Sequence, residues 1–135
     1  MQTEFEGLGT PFLLIGETFT APDGYEHIRY YLGKNGLDGQ FDFPLMWALR
    51  SALADDSISL RTLAERWHDS KRAWAGSNST MGLMIGNHDV PRFINIAAGF
   101  PWSDPWHQPP AQPTVSVPYK RTLLAQSFVL GMPGI

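Results

Sequence analysis

Two short runs of uninterrupted apolar residues stand out along the chain. Phe12-Leu13-Leu14-Ile15 leads through Gly16 to Glu17, and Met81-Gly82-Leu83-Met84-Ile85 leads into Gly86-Asn87-His88-Asp89. Runs this short and this continuous suit strands buried on both faces, as in a parallel sheet, better than half-exposed edges. Both finish on an acid. Between them, the Asp23-Gly24 turn pair precedes a segment, Tyr25 to Leu32, that predicts a helical turn or two. The turn cluster Gly36-Leu37-Asp38-Gly39 then opens an alternating strand, Gln40-Phe41-Asp42-Phe43. Pro44 fits the first position of a helix running Leu45 to Ala54. A second helix, from about Ser59 to Trp74, places Leu60, Leu63, Ala64, Trp67 and Trp74 on one face at helical spacing, so its tryptophans read as core.

Beyond the second apolar run, the stretch from Gly99 to Pro118 carries six of the eleven prolines together with Trp102, Trp106 and His107, which predicts a long loop. Pro118 can open a last helix through Leu123, Leu124 and Leu130 to Gly131, with Pro133 behind that stop. Strands alternating with helices predict an α/β fold, a parallel sheet with helices packed outside it. No internal repeat interrupts the pattern, and residues 1–135 read as one domain. A chain of this length can bury roughly 68% of its unfolded surface.

Charge and composition narrow the partners. The net charge is −3, and the scattered Lys and Arg form no basic stripe of the kind that grips a phosphate backbone, which argues against nucleic acid. The absence of cysteine excludes disulfides and thiolate metal sites, and is compatible with the cytoplasm or an exported compartment alike. The sequence opens on no basic-then-apolar leader, and no apolar run approaches the roughly 20 residues that span a bilayer, so no membrane partner is expected.

Acids at strand ends are where barrel and open-sheet enzymes carry their sites, and Asp89 has an imidazole beside it. Each residue also has a plain reading. A lone glutamate after a strand is ordinarily a solvated loop acid, and adjacent polar residues such as His88 and Asp89 are common at turns. His27 and His68 sit in no motif, His68 among the helix charges Glu65, Arg66 and Asp69, and both read as surface residues.

The segments Phe12-Leu-Leu-Ile-Gly-Glu17, Leu37-Asp-Gly-Gln-Phe-Asp-Phe-Pro44, Met84-Ile-Gly-Asn-His-Asp89 with Arg92-Phe93, and Gly131-Met-Pro-Gly-Ile135 resemble successive landmarks of glycoside hydrolase family 13, the alpha-amylase family. They match in order and spacing, and span almost the whole chain. The resemblance implies the C-terminal half of a (β/α)8 TIM barrel, from a fifth strand ending at Glu17, through a seventh ending at Asp89, to an eighth beginning near Pro133. Such a barrel needs about 250 residues, so about half of it would be absent. It implies a retaining glycosidase or transglycosidase acting on alpha-linked glucans or oligosaccharides. Glu17 matches the family's general acid/base, which must hold a proton at neutral pH to make the glycosidic oxygen a leaving group. Asp89 matches the third family acid, which stabilises the distorted, positively charging ring. His88 matches a donor to sugar hydroxyls, and Arg92 a partner that fixes a carboxylate. The nucleophile, expected about 5 to 5.5 Å from the acid/base, is an aspartate two positions after an arginine in this family, and no Arg-x-Asp occurs in this sequence.

Trp102, Trp106 and His107 could offer an aromatic platform for a sugar ring, with loop packing as the plainer alternative. No cofactor or metal ligand is expected in these residues, although calcium is common in the family and compatible with the intact enzyme. Two rivals stand beside this reading. One is a non-catalytic carbohydrate-binding or transporter-associated member of the same superfamily, against which the joint presence of Glu17 and Asp89 argues. The other is a dinuclear metallophosphoesterase, whose Gly-Asn-His-Asp segment is similar. It would also need an Asp-x-His and a Gly-Asp-x-x-Asp, and neither occurs here. Without a nucleophile the chain alone is expected to be inactive, and unpaired strand edges are expected to favour non-specific self-association.

Overall fold

The computed structural model describes residues 12–100 and 111–135. In chain order the elements are β1 (Ile15–Gly16), α1 (Tyr25–Tyr30), β2 (Gly39–Gln40), α2 (Phe43–Leu53), α3 (Leu60–Trp74), α4 (Phe93–Ala97) and α5 (Ser116–Leu130). The class is α/β as expected, with far more helix than strand. The regular sheet is a two-stranded parallel pair with Ile15 opposite Gly39 and Gly16 opposite Gln40.

Hydrogen bonds carry the parallel pairing further than the ladder. Phe41 forms a parallel bridge with Gly82, through Gly82 N–H to the Gln40 carbonyl at 2.8 Å and Asp42 N–H to the Gly82 carbonyl at 2.9 Å. Gly82 is in turn bracketed by the last residue: Leu83 N–H donates to the Ile135 carbonyl at 2.8 Å and Ile135 N–H to the Met81 carbonyl at 3.0 Å. Four chain segments therefore lie side by side in sequence order, each parallel to the next. Glycine makes the approach possible at two of them. A Cβ at Gly39 would lie 2.0 Å from the Thr80 carbonyl oxygen, and one at Gly82 would lie 2.7 Å from the Phe41 ring.

Two strand expectations need correction. Residues 12–15 are not buried on both faces: Phe12, Leu13 and Ile15 are exposed, because β1 is paired only on its β2 side among the described residues. Met81 to Ile85 is no continuous strand. It touches its neighbours only around Gly82, and the chain bends away before Gly86.

The helices follow their local signals closely. Asp42 caps α2 by accepting from Leu45 N–H at 3.1 Å, so the helix starts at Phe43, where alternation had suggested strand, and Pro44 lies in its first turn. Ser59 caps α3 the same way through Thr62 N–H at 3.1 Å, and Gly131 is the C-cap of α5. The buried stripe of α3 is Leu63, Ser70 and Trp74 with Trp67 partly covered; Leu60 and Ala64 face out, contrary to the expected face. The short α4, which no sequence signal announced, packs on α5. As expected, His27 and His68 are exposed.

Helix α2 organises the interior. Every residue in it except Trp47 and Ser51 is buried, as expected of a helix apolar nearly all round. One side joins Leu45, Leu49 and Leu53 to Leu63, Phe93 and Ala125. The other joins Phe43 and Met46 to Ile28, Trp74, Met81 and Val90. Fully burying one such side chain is worth about 1.5–3 kcal/mol, so this one helix fixes the neighbours on either side of it.

Candidate active site

Gly16 ends β1 and the chain presents Glu17 to solvent. Seventy positions later, the turn after Ile85 returns to the same place: Asn87 Nδ2 donates to Glu17 Oε1 at 3.0 Å. The other end of the same amide accepts the backbone N–H of Asp89 at 3.0 Å, an Asx turn that sets the direction of the following residues. His88 Nε2 lies 3.4 Å from Asp89 Oδ1, with the two side chains 86% and 50% exposed. The structure thus gathers Glu17, Asn87, His88 and Asp89 at one end of the parallel segments. Asn87 is the member that sequence reasoning passed over, although it stands inside the tetrapeptide that drew attention first.

Neither loop is held by its own hydrogen bonds alone. The Glu17 loop is tied down by Trp47 of α2, whose indole N–H donates to the Thr20 carbonyl at 2.7 Å. Phe19 adds edge-on contacts with Phe43 and Trp47, at centroid separations of 4.9 Å and 6.1 Å. The Asp89 turn is tied down by Arg50, one helical turn further along α2. Its Nη1 donates to the Ile85 carbonyl at 2.8 Å and its Nη2 to the Pro91 carbonyl at 2.7 Å. Burial pushes the Arg50 pKa down from its ordinary value, and the Asp55 carboxylate pulls it the other way. The guanidinium also lies 5.7 Å from the Trp47 ring centroid, within cation–π range.

A polar knot joins the start of α2 to α3. The Asp42 carboxylate accepts from Trp74 Nε1 at 2.8 Å and from the Ser70 hydroxyl, besides capping α2. Burial raises the Asp42 pKa above its ordinary 3.8, opposed by the hydrogen bonds from Ser70, Trp74 and Leu45. Its role is to fix the start of α2, and through α2 the spacing of both loops.

Arg92 stands at the N-cap of α4 with an exposed side chain and pairs with no carboxylate among the described residues. Trp102, Trp106 and His107 lie outside the described residues. Among those described, no three His, Asp or Glu side chains converge as a metal-binding set, and no helix is long and apolar enough to cross a membrane.

No family model matches the chain, and no solved structure matches it. Over 109 residues, 78% of its length, the chain is 31% identical to a protein of Paenibacillus polymyxa named beta/alpha-amylase. The chain spans 8% of the length of that curated relative.

Proposed function

We propose that this chain supplies part of the catalytic domain of a retaining glycosidase or transglycosidase acting on alpha-linked glucans or oligosaccharides. The observation that carries the reading is the Asn87–Glu17 hydrogen bond, which joins the acid after β1 to the His88-Asp89 turn. The sequence-ordered parallel pairing of residues 14–16, 39–41, 82 and 135 supports reading them as consecutive strands of one half of a (β/α)8 barrel. In that fold, catalytic groups come from the C-terminal ends of several strands. The beta/alpha-amylase relative supports a glycosidase chemistry.

In this reaction Glu17 protonates the departing glycosidic oxygen and later takes a proton from the incoming water or sugar hydroxyl. Asp89 accepts hydrogen bonds from ring hydroxyls that strengthen as the anomeric carbon gains positive charge, and His88 donates to a neighbouring hydroxyl. No Arg-x-Asp occurs in the sequence, so in this scheme the aspartate that attacks the anomeric carbon comes from another segment. Trp102 and Trp106 would offer the sugar an aromatic face.

The test is a titration of the 135-residue chain with maltoheptaose, followed by NMR and calorimetry, beside variants Glu17→Ala, His88→Ala and Asp89→Asn. Saturable binding weakened about tenfold or more by each change, the loss expected when a charged hydrogen bond to ligand is removed, supports the assignment. Binding indifferent to all three variants sinks it. Release of reducing sugar by the chain alone would show that it holds its own nucleophile, and would overturn the double-displacement scheme as written.

A further inference from the structure

We infer that Arg50 is a positioning residue: its guanidinium spans the two ends of the turn at 86–90 and thereby sets Asn87 on Glu17 and Asp89 beside them. The functional meaning of this rests on the sugar-handling roles proposed for Glu17 and Asp89. The geometric part stands without them.

A buried arginine needs a reason. Arg50 is 3% exposed, and charged side chains are almost never so buried unless paired, because desolvating the ion costs several kcal/mol. No carboxylate pairs with it at salt-bridge distance among the described residues; its guanidinium donates instead to the Ile85 and Pro91 carbonyls. Leucine would fill the same core position without that cost. The guanidinium can do something leucine and lysine cannot. Its rigid, planar fork holds two acceptors at once in a fixed relative position. Those acceptors flank the residues that carry Asn87, His88 and Asp89. Within the turn the Asx contact from Asp89 N–H to Asn87 Oδ1 ties only neighbouring residues, so the turn's placement depends on how its ends are held.

Two further features fit the clasp. A Cβ at Gly86 would lie 2.8 Å from Arg50 Nη1, so the missing side chain leaves room for the guanidinium. Trp47, one turn earlier on the same helix, holds the Glu17 loop through Thr20. Both acid-bearing loops are thus referenced to one buried helix, the kind of rigid support that keeps functional groups within about 0.5 Å of a working geometry.

The experiment reads the side-chain amide resonance of Asn87 in 1H–15N spectra of the sugar-free chain. Glu17→Ala marks where that resonance falls without its acceptor. Arg50→Lys keeps the charge but lacks the planar fork that holds both carbonyls in a fixed relation, and Gly86→Ala crowds the guanidinium without altering α2. Both are expected to move the Asn87 resonance toward its Glu17→Ala position while the α3 amides stay in place. Should Arg50→Lys fail to fold, Gly86→Ala decides alone. An unmoved Asn87 resonance, or a shift seen equally throughout α3, overturns the inference. Maltoheptaose affinity about tenfold weaker in Arg50→Lys at unchanged stability, the size of one charged hydrogen bond, extends it to function; unchanged affinity with a displaced Asn87 would refute the functional half. A wild-type chain that binds no maltoheptaose defeats the sugar reading, whereas the amide resonance still decides what Arg50 does.

Discussion

Asn87 and Glu17 are separated by 70 positions in sequence and by 3.0 Å in space. One amide serves both acids, donating to the Glu17 carboxylate and accepting the Asp89 backbone N–H. Neighbouring carboxylates repel, and a neutral bridge with one donor face and one acceptor face keeps two acid-bearing segments together without adding charge.

Replacing Asn87 by alanine should therefore separate function from stability. The pair is exposed, so its loss is expected to cost under about 1 kcal/mol in urea unfolding, while maltoheptaose binding should fall severalfold. Asn87→Asp should be worse for binding than alanine, because it sets a third carboxylate against Glu17. Binding that tolerates aspartate as well as asparagine would remove Asn87 from the site.

The buried Asp42 gives a pH dependence of known sign. Its folded pKa is raised above the ordinary 3.8, so in the window between those two values the folded chain binds more protons than the unfolded one, and unfolding free energy falls as pH rises. Asp42→Asn removes that titration. It also sets an amide donor against the Trp74 indole N–H, which leaves buried donors facing each other at about 1–3 kcal/mol. Wild type should be the more stable at neutral pH, and its lead should widen as pH falls through the raised folded pKa toward 3.8. Paired urea titrations measure that lead, and a lead that shrinks on acidification contradicts the raised pKa.

Much of the helical framework was legible because its signals are local. Ser59 and Gly131 mark helix ends through backbone geometry that needs no distant partner, whereas Asp42, which alternation places in a strand, caps α2. Glu17 does follow a strand, β1, whereas Asp89 lies in a turn seven residues past the isolated bridge at Gly82, since a ladder forms only where a neighbour's backbone comes alongside. Arg50 was not read, yet a clue existed. Phe43, Met46 and Leu53 share its helical stripe, so position 50 falls on an apolar face of the helix rather than beside Ser51. What it holds could not be read, because the Ile85 and Pro91 carbonyls belong to every sequence equally. Asn87 suffered the same blindness: its partner is set by the fold.

Leu49 and Leu60 test which faces are core. Leu49 is buried against Leu45, Leu63, Phe93 and Ala125, whereas Leu60, which helical spacing alone put on the core face of α3, is largely exposed. Leu49→Ala should cost about 2–5 kcal/mol through lost transfer energy and the cavity left behind. Leu60→Ala should stay within about 0.5 kcal/mol. Equal losses in denaturant titrations would mean that the packing of α2 against α3 is wrong.

Helix α5 gives the expectation of self-association a physical site. Val117, Leu123, Leu124 and Leu130 are exposed along it, Leu130 at 86%, although Pro118 and Ala125 on its other side are buried. Phe12 and Leu13 add exposed apolar surface at the edge of β1. Water-exposed leucines this close together on one helix favour burial against another copy, each contributing up to about 1.5–3 kcal/mol when fully covered. The sedimentation coefficient of the chain should accordingly rise with concentration. The double substitution Leu124→Lys with Leu130→Lys should suppress that rise without lowering the urea midpoint, since neither side chain packs in the core. A wild-type chain that sediments as a monomer across the concentration range, or a double variant that associates as strongly as wild type, would show that this helix face does not drive association.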